Sequence, residues 1–410
     1  MLEPDFVLLR QRPDDHGQPE GSLVRGITCG SMERGPKARG PGRRGAIRAL
    51  LCLLLCLLGS GHALAAPVEF TDMAGRQVRL TDTPKRIALG DGRLLTAFAL
   101  VTPEPVARVI ASTDNLKRYD PMTYDAYLAK FPALADVTDL GPPSADLSAE
   151  GLLSVAPDLV LLPLWLHSDR NSEETLTAAG VPVAYVDFFS DPVAGLPGAL
   201  RVIGAVLERR KQAEAYLAFV ERHMEVIRQR LADAGPKRPK VFLHARSAEW
   251  DCCWSATGKV GEIIAFAGGE NIASGMMGGQ TGQLSLEFVL GADPDVYIAA
   301  ASSGASRPGD FPIGEGVAAA DVQAAMKAIR SEPALGTLTA VTKGNGHALW
   351  LFFFQSPTYV IAIEAMAKWF HPELFADIDP ARTLAEINAT YLAVPMTGTF
   401  FADMEPAARP

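Results

Sequence analysis

The sequence predicts an α/β protein of two lobes with mainly parallel sheets, joined by a single long rigid helix and separated by a ligand cleft. Three observations carry this prediction. Leu147–Leu161 (LSAEGLLSVAPDLVL) and Leu284–Ile298 (LSLEFVLGADPDVYI), 137 positions apart, spell one pattern. A Ser able to cap a helix precedes a carboxylate in the first turn, and a Pro stops the helix before an apolar strand. Both halves of the chain alternate strand and helix patterns, which implies parallel sheets. Between them, apolar residues recur at spacings of three and four from Pro192 to Ala234. Repetition at domain scale means two similar lobes, and two lobes leave a cleft between them.

In chain order, residues 1–65 read as an N-terminal extension and signal peptide. Arg34, Lys37, Arg39, Arg43, Arg44 and Arg48 form a basic region, Ala49 to Leu58 is a short apolar run, and Ala63-Leu64-Ala65 fits a small-x-small cleavage site before Ala66. Residues 1–31 are polar and Pro/Gly-rich, which places the start of translation at Met32. Leu55 stands where a bacterial lipobox wants a small residue, which disfavours a lipid anchor at Cys56. No later stretch approaches the ~20 apolar residues of a membrane span. The mature chain is therefore expected to be exported to the periplasm and soluble.

Residues 66–193 form the expected N-terminal lobe. Val68 to Leu80 alternates on both sides of an Asp/Ala/Gly turn and reads as a hairpin. A buried strand at Arg86–Leu89 ends in Gly90-Asp91-Gly92-Arg93, and further strands fall at Leu159–Pro163 and Val183–Val186, separated by a helix near Glu173–Ala179. Residues 194–236 are the interlobe helix, charged on its outer face and closed by Gly235-Pro236, with Gly204 as a point of interruption. At 1.5 Å per residue, a helix of roughly 40 residues would cross about 60 Å. Residues 237–410 form the C-terminal lobe, with strands at Lys240–His244, Val296–Ala300 and Ala348–Phe353 and closing helices at Ile361–Phe370 and Leu384–Tyr391.

Composition narrows the function classes. Formal net charge is −9; residues 1–65 hold nine Lys/Arg and six Asp/Glu, so removing their +3 leaves −12. Nucleic acid is an unsuitable partner for such a chain. Only Cys252 and Cys253 lie beyond the leader, so this is no disulfide scaffold. A Walker lysine loop, a Gly-x-Ser-x-Gly elbow, a His-Glu-x-x-His pair and a Rossmann glycine set are all missing from the sequence, and catalysis has no motif to support it.

The opening Phe70-Thr71-Asp72 with Gly75-Arg76, Pro84-Lys85-Arg86-Ile87, the two Glu-to-Pro-Asp repeats, the interlobe helix and the leader together resemble a periplasmic solute-binding protein of a bacterial ABC importer. The resemblance covers essentially residues 66–400 and is to the type that carries iron–siderophore complexes, haem or cobalamin. It implies two lobes facing one another across a cleft, little closure, and an inner-membrane permease dimer with a cytoplasmic ATPase as partner. One exposed carboxylate per lobe docks on the permease in such proteins, and Glu150 and Glu287 stand at the matching places. Each also stabilises its helix dipole, by about 0.3 to 1 kcal/mol. A monomer without a cofactor is expected, with a ferric siderophore as ligand and haem or a corrinoid as alternatives. The competing reading is an exported enzyme that processes a metal chelate through Cys252 and Cys253.

In open α/β sheets, ligands sit beyond the carboxyl ends of the strands. Those segments offer Arg93, Trp165, His167 and Phe188-Phe189 in the first lobe. In the second they offer Arg246, Trp250, Cys252, Cys253 and Trp254, then Ser302, Ser303 and Arg307, then Phe353-Phe354-Gln355 and Tyr359. Aromatics supply area at low entropy cost and Arg pairs with carboxylate or catecholate oxygens, which suits a large anionic chelate. The mature His residues, His167, His223, His244, His347 and His371, lack the paired spacing of a zinc site. By the resemblance, His167 with Tyr359 is the candidate pair to complete an iron coordination shell. Cys252 and Cys253 either close an eight-membered ring or remain reactive thiols, and the oxidised form is expected in an exported protein.

Overall fold

The computed structural model of the chain describes residues 67–142, 147–168, 171–247, 252–277, 279, 281–301 and 309–405. The leader lies outside these residues, as do Trp250, Ser302, Ser303 and Arg307. The first lobe runs β1 (Val68–Thr71), β2 (Gln77–Leu80), β3 (Ile87–Leu89), α1 (Leu94–Val101), β4 (Val109–Ser112), α2 (Asn115–Tyr119), α3 (Pro121–Lys130), β5 (Thr138–Asp139), α4 (Ala149–Ser154), β6 (Leu159–Leu162), α5 (Asn171–Ala178) and β7 (Val183–Tyr185). Two helices follow, α6 (Pro192–Val206) and α7 (Arg210–Ala234). The second lobe begins with β8 (Lys240–Ala245), β9 (Trp254–Ala256), α8 (Gly258–Phe266), β10 (Glu270–Asn271), β11 (Thr281–Gln283), α9 (Leu286–Ala292) and β12 (Val296–Ala301). It closes with β13 (Gly314–Glu315), α10 (Ala319–Arg330), α11 (Thr339–Thr342), β14 (Gly346–Trp350), α12 (Val360–Phe370), α13 (Pro380–Thr390), β15 (Gly398–Thr399) and β16 (Phe401–Asp403).

The two main sheets have matching order. The first is β5-β4-β3-β6-β7, parallel throughout; the second is β10-β8-β12-β14-β16, parallel except for the edge strand β16. Their strands are nearly all-apolar runs because helices cover both faces. β6, β8, β12 and β14 are accordingly buried along almost their whole length.

The repeat earns its place in both lobes through the same bonds. Ser148 Oγ accepts from Gly151 N at 3.1 Å to cap α4, and Ser285 Oγ accepts from Phe288 N at 3.1 Å to cap α9. The Asp after each Pro fastens its strand to the neighbour. Asp158 accepts from Lys85 N at 2.7 Å and Arg86 N at 2.9 Å at the start of β3, and Asp295 accepts from Lys240 N at 2.8 Å at the start of β8. Among the described residues Glu150 and Glu287 enter no such bond to the fold, and both are exposed in the first turns of their helices.

The hairpin β1–β2 is held by its turn. Asp72 accepts from Ala74 N and Arg76 N, at 3.0 and 2.9 Å, and also from Tyr185 N at 3.1 Å. The hairpin turn thus extends the edge of the first sheet at β7.

The connector differs from a single helix of 40 residues. It breaks at Leu207–Arg209, where Glu208 takes a φ of +58°, and α6 and α7 fold back against each other. Gly204 permits this return: a Cβ there would lie 2.8 Å from Ala213 Cβ and 3.3 Å from Arg210 Cα. The rigid element is therefore α7, 25 residues and about 37 Å long, closed by Gly235 in the left-handed region. It packs on α1 of the first lobe and α12 of the second. The lobes are further fastened where Tyr216 OH donates to Pro357 O at 2.8 Å and Ala393 N donates to Ala99 O at 2.8 Å. One hydrophobic core runs through both lobes along this seam, and a smaller one around Val160, Leu162 and Leu176 fills the other face of the first sheet.

Candidate functional site

In each main sheet the chain moves outward from its first strand in one direction and then crosses back to the other side. The switch points are therefore β3/β6 and β8/β12, the places where ligands enter open α/β sheets. Arg93 follows β3, the 3₁₀ turn Leu164–Ser168 follows β6, and Arg246 follows β8.

Arg93 heads α1 from a turn that only glycine allows, because a Cβ at Gly92 would stand 2.5 Å from Thr113 O. Its guanidinium donates to Asp91 Oδ1 at 2.9 Å and Oδ2 at 2.5 Å, and lies 3.9 Å above the Phe189 ring. It also donates to Gln355 Oε1 of the second lobe at 2.6 Å, so it bridges the lobes. Asp91 is fully buried.

Arg246 has an equivalent internal clamp. It donates to Glu332 Oε1 at 2.7 Å and to Tyr297 OH at 3.2 Å. The partner that burial demands of an arginine is thus Glu332. His244, on β8, shares Tyr297 OH at 2.9 Å. Burial first, and the Arg246 charge second, lower the His244 imidazole to about 3, so it is neutral at pH 7. Burial pushes the Tyr297 hydroxyl up to about 12 and it stays protonated.

The aromatics divide. Trp165 is 41% exposed beside the first switch point, and Trp254 is half-buried at the start of β9, which pairs with β11. Phe188, Phe353 and Phe354 are core residues, and Phe189 is buried beneath Arg93, so these side chains fill their lobes instead of facing solvent. Tyr359 is likewise 3% exposed at the head of α12. His167 packs edge-on against Tyr185, ring centroids 4.7 Å apart, with Glu173 4.0 Å from its Nδ1. Among the described residues no ion pair or ring contact joins His167 to Tyr359. The other histidines are engaged within the fold: His223 with Glu364 at 2.6 Å, His347 with Asp403 at 2.9 Å, and His371 with Gly268 O at 3.1 Å. A cavity of about 180 Å³ lies at the carboxyl ends of β3, β4 and β5, lined by Ser112, Thr113, Lys117 and Tyr124. It is smaller than an ordinary ligand pocket of about 300–1,000 Å³.

Residues 96–346 match the family model for periplasmic binding proteins. The chain is a periplasmic binding protein. Solved structures share its fold. The TroA-like periplasmic binding protein FepB from Veillonella parvula superposes with a TM-score of 0.76 at 23% identity, covering 83% of this chain and 100% of its own. MolA of Haemophilus influenzae, bound to molybdate, gives 0.58 at 16% identity, over 79% of this chain and 97% of its own. CeuE of Helicobacter pylori, in a nickel–histidine complex, gives 0.57 at 16% identity, over 80% and 96%. No curated protein sequence matches the chain.

Three features of this binding protein escape sequence reasoning. Gln355 joins Arg93 across 262 positions and Glu332 joins Arg246 across 86, separations that no local pattern signals. The third is a cluster. Cys252 and Cys253 are bonded through their sulfurs, and the ligand atoms of His244, Cys252 and Cys253 all lie within 4.8 Å of one another. Reading the histidines and the cysteines as separate sets hides it; the placement of a His at the end of β8, eight residues before a Cys-Cys pair, is the one available clue.

Proposed function

We propose that this periplasmic binding protein captures an anionic metal chelate, a ferric siderophore, between the carboxyl ends of its two main sheets and delivers it to an ABC permease. The observation that carries the reading is the pair of clamped guanidinium groups, Arg93 and Arg246, one at the switch point of each sheet, with Trp165 in the turn after β6 and Trp254 at the start of β9. Fixed arginines with spare N–H groups suit the carboxylate or catecholate oxygens of such a ligand, and indoles supply flat apolar area. The molybdate and nickel–histidine ligands of MolA and CeuE show the same fold serving an oxyanion and a metal complex. A cleft used for holding and release needs no catalytic group.

Export follows from the leader at residues 34–65, cleaved before Ala66. Glu150 and Glu287, exposed and equivalent in the two lobes, are the carboxylates that meet the permease subunits. Native mass spectrometry of protein purified from the periplasm of iron-limited cells tests the ligand. A mass increment of one ferric chelate per chain is expected, and an increment of haem, a corrinoid or a simple oxyanion overturns the siderophore assignment.

A further inference from the structure

Beside the second switch point the fold holds two bonded sulfurs and an imidazole together. Cys252 is partly exposed, whereas Cys253 and His244 are buried. The cysteine backbone is pinned from β11 and the residue after it: Gln283 Nε2 donates to Cys252 O at 2.6 Å and Leu284 N to Cys253 O at 3.0 Å. Tyr297 OH accepts from Arg246 at 3.2 Å and pairs with His244 Nδ1 at 2.9 Å, so Nδ1 is held within the fold and Nε2 is the ring nitrogen that would turn to a cation, in the Nδ1–H tautomer that ligation selects. An imidazole whose other nitrogen is held by a hydrogen bond is the usual form of a metal-ligating histidine.

We propose that Cys252, Cys253 and His244 form a redox-gated site for a borderline d¹⁰ divalent cation, zinc and its analogue cadmium, closed while the disulfide stands and opened by a dithiol reductant. The reductant's thiolate attacks Cys252 Sγ, the Cys252–Cys253 bond breaks, and the mixed disulfide is resolved by the reductant's second thiol. The reductant leaves as its own disulfide, and its two electrons and two protons remain on the two cysteines. Cation binding then releases the thiol protons. Two thiolates and a neutral imidazole balance a divalent charge and supply three of four tetrahedral positions. Once the opened sulfurs part, donor atoms that lie within 4.8 Å of one another can converge on one cation at Zn–S near 2.3 Å and Zn–N near 2.0–2.1 Å. Among the described residues no fourth His, Cys, Asp or Glu joins the three, which leaves the fourth tetrahedral position to water or to a donor from whatever occupies the cleft.

The test is an anaerobic cadmium titration of the purified protein, oxidised and after reduction and removal of the reductant, read by the ultraviolet thiolate-to-cadmium charge-transfer band. The reduced protein should bind one equivalent per chain, at least about 100-fold more tightly than the oxidised protein. Cys253→Ser should weaken the band, and His244→Gln should keep a thiolate band while weakening affinity by about 10- to 100-fold. The redox comparison uses the unaltered chain, so it stands even where a buried substitution fails to fold. Equal cadmium affinity before and after reduction overturns the proposal, as does a full band in reduced Cys253→Ser.

Discussion

Replacing Asp120 by Asn should make the stability of this protein less dependent on pH. Asp120 is 1% exposed at the head of α3, where its side chain caps the helix by accepting from Thr123 N at 3.3 Å. Its Oδ2 has no hydrogen-bond partner among the described residues. α3 packs against β13 of the other lobe, which carries Glu315. Burial raises the Asp120 carboxyl to about 7; the bonds to Thr123 only partly offset this, and the Glu315 charge adds to it. Because the folded pKa is raised, the native state holds the proton more tightly. The contribution is full below about pH 4 and is lost as pH rises through about 7. Three pKa units at 1.36 kcal/mol each give on the order of 4 kcal/mol, an upper bound because water entering the seam would relieve it. The amide keeps the cap and never ionises. Asp120→Asn and the unaltered protein should therefore melt nearly alike at pH 4, whereas at pH 8 the variant should melt several degrees higher by circular dichroism. An identical difference in Tm at both values would show that Asp120 is not held neutral at the lobe seam.

Three further outcomes follow from the site. Glu150→Arg and Glu287→Arg should leave ligand affinity intact and abolish uptake in cells, since each sets like charge against like at the permease; wild-type uptake by the double variant would remove both residues from docking. Arg93→Ala leaves Asp91 buried without its cation and should cost about 3–5 kcal/mol in urea unfolding. Arg93→Lys should recover little of this, because an ammonium cannot reproduce the fork between Asp91 and Gln355. Arg246→Ala should weaken chelate binding by about 1.5 to 3 kcal/mol, and should raise the His244 pKa in an NMR titration by removing the second cause of its depression.

What the sequence made legible was local. Ser148 and Ser285 cap, Pro157 and Pro294 stop, and the apolar runs after them are strands. The hairpin at Val68–Leu80 and the parallel order follow from the same short-range patterns. Where tertiary contact decides, local reading failed. The helical periodicity of 192–234 continues through Glu208, yet the backbone turns there, and Gly204 serves the packing of two helices more than the bending of one. Residues after β14 were read as facing the cleft, but a 3₁₀ turn at Leu351–Gln355 rotates Phe352, Phe353 and Phe354 into the core and leaves Gln355 to reach Arg93. Tyr359, four residues on, is carried into the core with them. Arg246 could be recognised as needing a partner; only the folded chain shows that Glu332, just after α10, supplies it.

The central claim is a cleft that binds one metal chelate between two lobes, and intrinsic fluorescence tests it most directly. Trp165, in the turn after β6, belongs to the first lobe and Trp254, at the start of β9, to the second, both partly exposed, so a coloured ferric chelate seated between the lobes should quench them together. Titration with a panel of ferric siderophores should give strong, saturable quenching at one chelate per chain, with iron-free chelator and simple ferric salt doing much less. If every siderophore fails while haem or a corrinoid saturates near one to one, the iron–siderophore assignment is wrong; if no metal chelate quenches at all, the cleft between Arg93 and Arg246 is not the binding site.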